Sequence, residues 1–306
     1  MSKRRKMWVV GAVVCSSFLL DSAALRASAH AHMLSNVRSW AYQLQAVDIE
    51  TLAKSACDLV VIDYSRDGSD REAFTAEQIS AIRKKPDGSD RIVLSYLSIG
   101  EAEDYRFYWD KGWTIRPPRW LGAENAEWPG NFAVNYWDPD WQKLIFGQPS
   151  SFLDRIAAAG FDGVYLDKVD AFYGKNIALG LTERMGAMAA FVHTLADYAR
   201  GQRPGFAIVA QNGEELLSLP AFADTLDGFA KEDLLYGIEG DEIRNADADV
   251  EVSHELIAGV LNSGRPVLVA EYLSTHELIA EARAEIQALG ALPFIGSREL
   301  EKPTTC

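Results

Sequence analysis

Residues 160–170 read Gly-Phe-Asp-Gly-Val-Tyr-Leu-Asp-Lys-Val-Asp. A helical stretch over residues 151–159 stops at Gly160, and an apolar run begins at once and ends on Asp167. Glycine closes a helix readily because it takes the left-handed conformation without a Cβ penalty. A helix that passes directly into an apolar strand with a polar end is the repeating unit of a parallel α/β sheet. The unit recurs on both sides of this stretch. Apolar runs cover residues 40–45, 59–65, 92–99, 163–169, 207–212, 228–234, 266–273 and 293–297. They are rich in Val, Ile, Leu, Phe and Tyr, as strands buried on both faces should be.

Helical stretches separate the runs. Thr75 and Gln78 have the spacing of a capping box ahead of Ile79 and Ile82. Residues 182–200 place Met185, Met188, Ala189, Val192, Leu195, Ala196 and Ala199 on one face, with Gly201 as the stop. Ser274 with Glu277 reads as a second capping box, and that helix closes at Gly290. Asp138-Pro139 opens another helix, which leaves residues 132–137 to an insertion. Eight strands alternating with helices predict a single α/β domain, a (β/α)8 TIM barrel with a long aromatic-rich insertion after strand three. No Gly-x-Gly-x-x-Gly follows the first strand and no P-loop is present, which disfavours a nucleotide-binding sheet.

The first 29 residues stand apart. Lys3, Arg4, Arg5 and Lys6 precede an apolar run over residues 7–20, and Ala27-Ser28-Ala29 offers a small-x-small cleavage site. The pattern is that of a secretory signal peptide, with a retained membrane anchor as the alternative. The expected product is residues 30–306, secreted or periplasmic, with no stable membrane insertion beyond the signal segment. Removing residues 1–29 takes away five basic residues (Lys3, Arg4, Arg5, Lys6, Arg26) and one acidic residue (Asp21), so the charge moves from −14 to −18. Such a surface argues against nucleic acid as a partner and suits a cationic one. Cys57 and Cys306 then remain, and their pairing is left open by the sequence. A monomer is expected.

In a barrel of this kind chemistry sits at the C-terminal strand ends. Those ends carry Asp63-Tyr64, Tyr96 with Glu101 beyond it, Asp167 and Asp170, Gln211-Asn212, Glu232-Asp233, and Glu271-Tyr272. An apolar strand has no structural need to end on carboxylates. Period-two alternation puts Tyr165 and Asp167 on one side of strand four, and Gly228, Ala230 and Glu232 on one side of strand six. The small residues below Glu232 leave room for a carboxylate and its ligand. Two carboxylates facing each other across the mouth are what glycoside hydrolysis requires. The insertion adds Trp109, Trp113, Trp120, Trp128, Trp137 and Trp141, six of the chain's eight tryptophans. Most should fasten the insertion to the barrel; Tyr136 and Trp137 are the expected cleft platforms for sugar rings. His193, His254 and His276 fall on helices, away from the strand ends, which speaks against a metal-dependent hydrolase. No Gly-x-Ser-x-Gly elbow is present.

Three stretches carry a family resemblance: residues 160–170, residues 95–106 (Ser-Tyr-Leu-Ser-Ile-Gly-Glu-Ala-Glu-Asp-Tyr-Arg) and residues 211–215 (Gln-Asn-Gly-Glu-Glu). With Val61-Ile-Asp63-Tyr64, Asn135-Tyr-Trp-Asp138 and Val267-Leu-Val-Ala-Glu271-Tyr272, they resemble glycoside hydrolase family 114, whose type activity is endo-α-1,4-polygalactosaminidase. The resemblance implies a retaining mechanism with no metal or other cofactor. It implies Asp167 as nucleophile, Glu232 as acid/base, and an α-1,4-linked polysaccharide containing galactosamine, a cationic polymer where deacetylated. Substrate contacts are expected from Asp63, Tyr64, Tyr96, Glu101, Tyr136, Trp137, Tyr165, Asp170, Asn212, Glu271 and Tyr272. Alternation should point Lys168 and Lys231 away from the cleft. The competing reading is a non-catalytic polysaccharide-binding barrel of a cell-surface or biofilm system, favoured if the two carboxylates lie about 10 Å or more apart.

Overall fold

The computed structural model describes residues 33–174, 179–302 and 306. The expected signal segment and its expected cleavage site lie outside the described residues. The strands are β1 (Trp40–Gln43), β2 (Leu59–Ile62), β3 (Ile92–Ser98), β4 (Glu101–Glu103), β5 (Leu121–Glu124), β6 (Asn131–Val134), β7 (Gly163–Asp167), β8 (Ala207–Gln211), β9 (Gly228–Glu232), β10 (Val267–Tyr272) and β11 (Leu292–Gly296). The helices are α1 (Ile49–Lys54), α2 (Ala76–Arg83), α3 (Pro139–Ile145), α4 (Phe152–Ala158), α5 (Leu181–Gln202), α6 (Pro220–Ala223), α7 (Asp247–Asn262) and α8 (His276–Ala288).

Eight parallel strands run in the order β1-β2-β3-β7-β8-β9-β10-β11. At the seam the Trp40 indole N–H on β1 donates to the Leu292 carbonyl on β11 at 2.8 Å, and the sheet closes into a (β/α)8 barrel. Alternation sorts the strand residues into two apolar layers. Trp40, Tyr42, Leu59, Val61, Leu94, Tyr165, Val209, Ala230, Leu268, Ala270 and Phe294 fill the interior. Ala41, Val60, Ile62, Val164, Leu166, Phe229 and Val269 face the helices. Inside, Tyr42 lies 5.1 Å from Tyr165, and Trp40 lies 5.5 Å from Phe294. Large rings from β1, β7 and β11 are matched by alanines on β9 and β10, which keeps the floor of the mouth solid. Gly163 is required where β7 meets β8, since a Cβ there would stand 2.3 Å from the Ala207 carbonyl oxygen. The preceding Asp162 is pinned at the strand start by the Val93 N–H, Arg83 and Arg203.

The Thr75–Gln78 capping box forms at the start of α2. Two local expectations do not hold. α5 runs past Gly201 and ends at Gln202, because packing of Met188, Val192, Leu195, Ala196 and Ala199 outweighs the propensity of one glycine. The Ser274–Glu277 box does not form: Thr275 is the N-cap of α8, and Ser274 and Thr275 give their N–H and hydroxyl groups to Glu242 from the β9–α7 loop. The insertion after β3 builds its own antiparallel sheet, β4-β6-β5. A relay of rings from Trp109 through Trp113 and Trp120 to Trp141 sews it down, with centroids 5.2, 5.0 and 5.0 Å apart.

Cys57 and Cys306 form a disulfide that closes a loop of 249 residues. Near the seam Leu44 and Gln45 donate their N–H groups to the Leu300 carbonyl. Cross-linking two such distant positions constrains the unfolded chain. Cys306→Ser should therefore lower the unfolding free energy by about 2–5 kcal/mol, measured by urea titration, with reductant producing the same loss in the wild type and none in the variant.

Candidate active site

The last residues of three neighbouring strands converge: Asp167 on β7, Gln211 on β8 and Glu232 on β9. Each is followed by a residue in the left-handed region, Lys168 at φ 58°, Asn212 at φ 60° and Asp233 at φ 54°. Three non-glycine residues in this conformation concentrate backbone strain at one mouth of the barrel. The turn at Lys168 fits only because Gly100 faces it; a Cβ on Gly100 would lie 2.2 Å from the Lys168 carbonyl oxygen.

The three side chains form one hydrogen-bonded unit. The Gln211 amide donates to Asp167 Oδ1 at 3.3 Å and to Glu232 Oε2 at 3.0 Å, so those two carboxylate oxygens are at most 6.3 Å apart. The Tyr96 hydroxyl donates to Asp167 Oδ2 at 2.6 Å, and the Tyr272 hydroxyl donates to Glu232 Oε1. The Glu232 N–H is taken by Asn212 Oδ1 at 3.0 Å. Burial pushes Glu232 up to about 7, with the charge of Asp167 adding to the rise and the Tyr272 hydrogen bond and Arg298 opposing it. Burial also raises Asp167, but the Tyr96 hydrogen bond and the Lys168 charge hold it back. Burial thus favours the neutral form of both carboxyls, while the Tyr96 hydrogen bond and the Lys168 charge favour the anion at Asp167.

A cleft of about 560 Å³ opens above the pair. Asp63, Tyr96, Glu101, Asp167, Asp170, Asn212, Glu232 and Tyr272 all line it. Asp63 is ion-paired to the buried Arg106 at 2.7 Å, and the same guanidinium holds Glu103. Glu101 accepts from Asn125 at 3.0 Å and pairs with Lys168 at 3.2 Å. Asp170 is raised by burial and opposed by the charges of Lys168 and Lys231.

Five other expected contacts are not brought to the cleft lining. Tyr64, just past β2, and Glu271 on β10 face outward, since Val61 and Asp63, and Ala270 and Tyr272, hold the inward positions. Tyr64 bonds Asp70, and Glu271 is fully buried and accepts the N–H groups of Leu235 and Tyr236, clamping the loop after β9. Tyr165 points inward but lies in the aromatic floor, fully buried. Tyr136 is buried with its hydroxyl on the Arg184 carbonyl, and Trp137 packs against the outer layer. Lys168 departs from strand alternation because of its left-handed turn and lines the cleft, whereas Lys231 points outward to Glu214 at 3.1 Å.

Four further cleft residues were not among the expected contacts: Gln211, named at its strand end without a role, Trp128, counted with the insertion's rings, and Arg106 and Arg298. Alternation from Val209 identifies Gln211 as inward-facing. The Trp128-Pro129-Gly130 turn is the signal for an exposed ring; Trp128 is 50% exposed at the rim while Trp109, Trp113, Trp120, Trp137 and Trp141 pack against the core. Among the described residues no three His, Cys, Asp or Glu side chains gather as metal ligands. No helix among them is long and apolar enough to cross a membrane.

The family model of glycoside-hydrolase family GH114 matches residues 22–305. An uncharacterized protein of Methanocaldococcus jannaschii is 40% identical over 284 residues, 87% of this chain and 78% of its own length. The glycoside hydrolase domain of PelA from Pseudomonas aeruginosa superposes with a TM-score of 0.66 at 20% identity, covering 88% of this chain and 99% of that one. Aspergillus fumigatus Ega3, solved in complex with galactosamine, gives 0.64 at 18% identity, covering 90% and 98%.

Arg106 neutralises two buried carboxylates and lies 5.0 Å from the ring of Tyr105 and 5.1 Å from that of Phe152. Arg106→Met should cost about 3–5 kcal/mol by leaving both anions unpaired. Arg106→Lys should recover only part of this, because one ammonium lacks the planar fork. Denaturant titration of both variants reads the difference.

Proposed function

The chain belongs to glycoside-hydrolase family GH114, and on that premise we propose that residues 30–306 are an exported hydrolase of α-1,4-linked galactosamine-containing polysaccharide. Residues 1–29 are its signal segment. Hydrolysis retains the anomeric configuration. Asp167 attacks the anomeric carbon while Glu232 gives its proton to the departing glycosidic oxygen. Glu232 then takes a proton from water, and that water oxygen displaces Asp167 from the sugar.

The observation that carries this reading is the Gln211 bridge. It bounds the nearest bridged oxygens at 6.3 Å, compatible with the roughly 5–5.5 Å of retaining enzymes and far short of 10 Å. The same bound speaks against a barrel that merely binds polysaccharide. The elevated Glu232 supports its role as proton donor, and Tyr96 on Asp167 supports an anion held in a fixed rotamer. The cleft lining carries eight Asp and Glu side chains against four Lys and Arg, so an acidic excess survives the ion pairs of Arg106 and Lys168 and favours an amino sugar. Trp128 and the half-exposed Tyr105 supply apolar faces for sugar rings at the rim. The Cys57–Cys306 disulfide is consistent with an oxidising destination.

Asp167→Asn and Glu232→Gln should each reduce release of oligosaccharides from α-1,4-polygalactosamine by roughly 10³-fold or more, followed by mass spectrometry. Wild-type kcat/KM should fall as pH rises through about 7, where Glu232 loses its proton, and fall again in acid as Asp167 gains one. Trp128→Ala should raise KM for the polymer roughly tenfold with kcat little changed, the scale of one lost stacking contact. Persistence of cleavage in either carboxylate variant would remove that residue from the mechanism.

A further inference from the structure

Arg298 follows β11 and reaches the cleft beside β10. Its Nη1 and Nη2 grip Asp233 at 3.0 and 3.1 Å, and its Nε reaches Asp241 at 3.3 Å. So anchored, the guanidinium lies over Tyr272, 4.3 Å from the ring centroid. Tyr272 in turn places its hydroxyl on Glu232 Oε1. The anchor is itself a strained residue, since Asp233 holds a φ of 54° directly after Glu232. An arginine bound on one edge by a carboxylate and stacked on a tyrosine has little rotational freedom left, and it denies the same freedom to the ring beneath.

We infer that Arg298 is a positioning residue for Glu232, acting through the Tyr272 ring that it clamps from above. The inference rests on the reading of Glu232 as proton donor, and Arg298 touches no reacting atom. A proton donor must aim one oxygen at the leaving group. Tyr272 ties Oε1 and Gln211 ties Oε2, so the orientation of the carboxyl depends on where Tyr272 is held. The charged and titratable groups around Glu232 are Asp167 and Tyr165 from β7, Tyr42 from β1, Asp233 at its own strand exit, Tyr272 from β10, and Arg298. Arg298 is the cation of this set and also neutralises Asp233. Its loss removes support for the ionised form of Glu232 and uncovers a neighbouring anion, so both effects favour the protonated form.

The test follows the Glu232 carboxyl carbon by NMR in the full chain labelled with 13Cδ-glutamate, assigned by the resonance missing in Glu232→Gln. Wild type, Arg298→Met, Arg298→Lys, Tyr272→Phe and the Arg298→Met/Tyr272→Phe double variant are titrated. The same proteins are assayed on α-1,4-polygalactosamine, and thermal melts confirm folding. Arg298→Met should move the midpoint upward by roughly one unit and lower kcat by roughly tenfold with KM nearly unchanged. Arg298→Lys should restore most of the midpoint but not kcat, because it returns the charge without the plate. The double variant should be no worse in kcat than Tyr272→Phe alone. A wild-type midpoint and kcat in Arg298→Met, or losses that multiply in the double variant, would overturn the inference. If wild type fails to cleave the polymer, the functional reading fails, while the midpoints still report whether Arg298 acts on Glu232.

Discussion

Lys168, Asn212 and Asp233 leave the barrel in the left-handed conformation, at φ 58°, 60° and 54°, one residue after Asp167, Gln211 and Glu232. A strand that continued its pleat would carry the next side chain outward and move the backbone over the mouth. The left-handed turn ends the strand instead and leaves three polar side chains standing together at the rim. Each such residue costs roughly 1–2 kcal/mol relative to ordinary backbone. The offsets are local: Asn212 caps the Glu232 N–H, Lys168 pairs with Glu101, and Asp233 is gripped by Arg298. Below them the plug of Trp40, Tyr42, Tyr165 and Phe294 gives the strained ends a floor that cannot yield.

On that frame the cleft is an electrostatic device with graded compensation. Asp63 and Glu103 are neutralised by Arg106, which sits almost wholly out of solvent. Glu101 is held between Lys168 and the Asn125 amide. Asp167 and Glu232 receive hydrogen bonds from neutral Tyr96, Gln211 and Tyr272 in place of direct ion pairs. Neutral donors orient a carboxyl without forcing it to ionise, which leaves burial and the mutual repulsion of the pair free to set which one keeps the proton.

The barrel was readable because its evidence is periodic. All eight apolar runs became barrel strands, and the residues after β3 became an insertion, since strand patterning and helix stops recur and reinforce one another. The site was readable where parity is decisive. Asp63, Tyr96, Asp167, Glu232 and Tyr272 share the inward side of their strands with core residues and reach the cleft. The same parity separates Tyr64 and Glu271 from their neighbours, so adjacent residues at one strand end do not both face the mouth. What escaped was non-periodic. The left-handed turn carries Lys168 inward against alternation, Arg106 and Arg298 arrive from outside the strand pattern, and burial of Tyr136 and Trp137 depends on how the insertion folds back.

The most direct measurement of the account is peptide mass spectrometry after the wild-type enzyme meets a 5-fluoro α-galactosaminyl fluoride, a donor that traps a covalent sugar on a retaining nucleophile. A glycosyl adduct on the peptide containing Asp167, slow to form in Glu232→Gln only when the leaving group needs a proton, is the predicted result. An adduct on another carboxylate, or turnover of an unactivated substrate with inversion and no adduct, would contradict it.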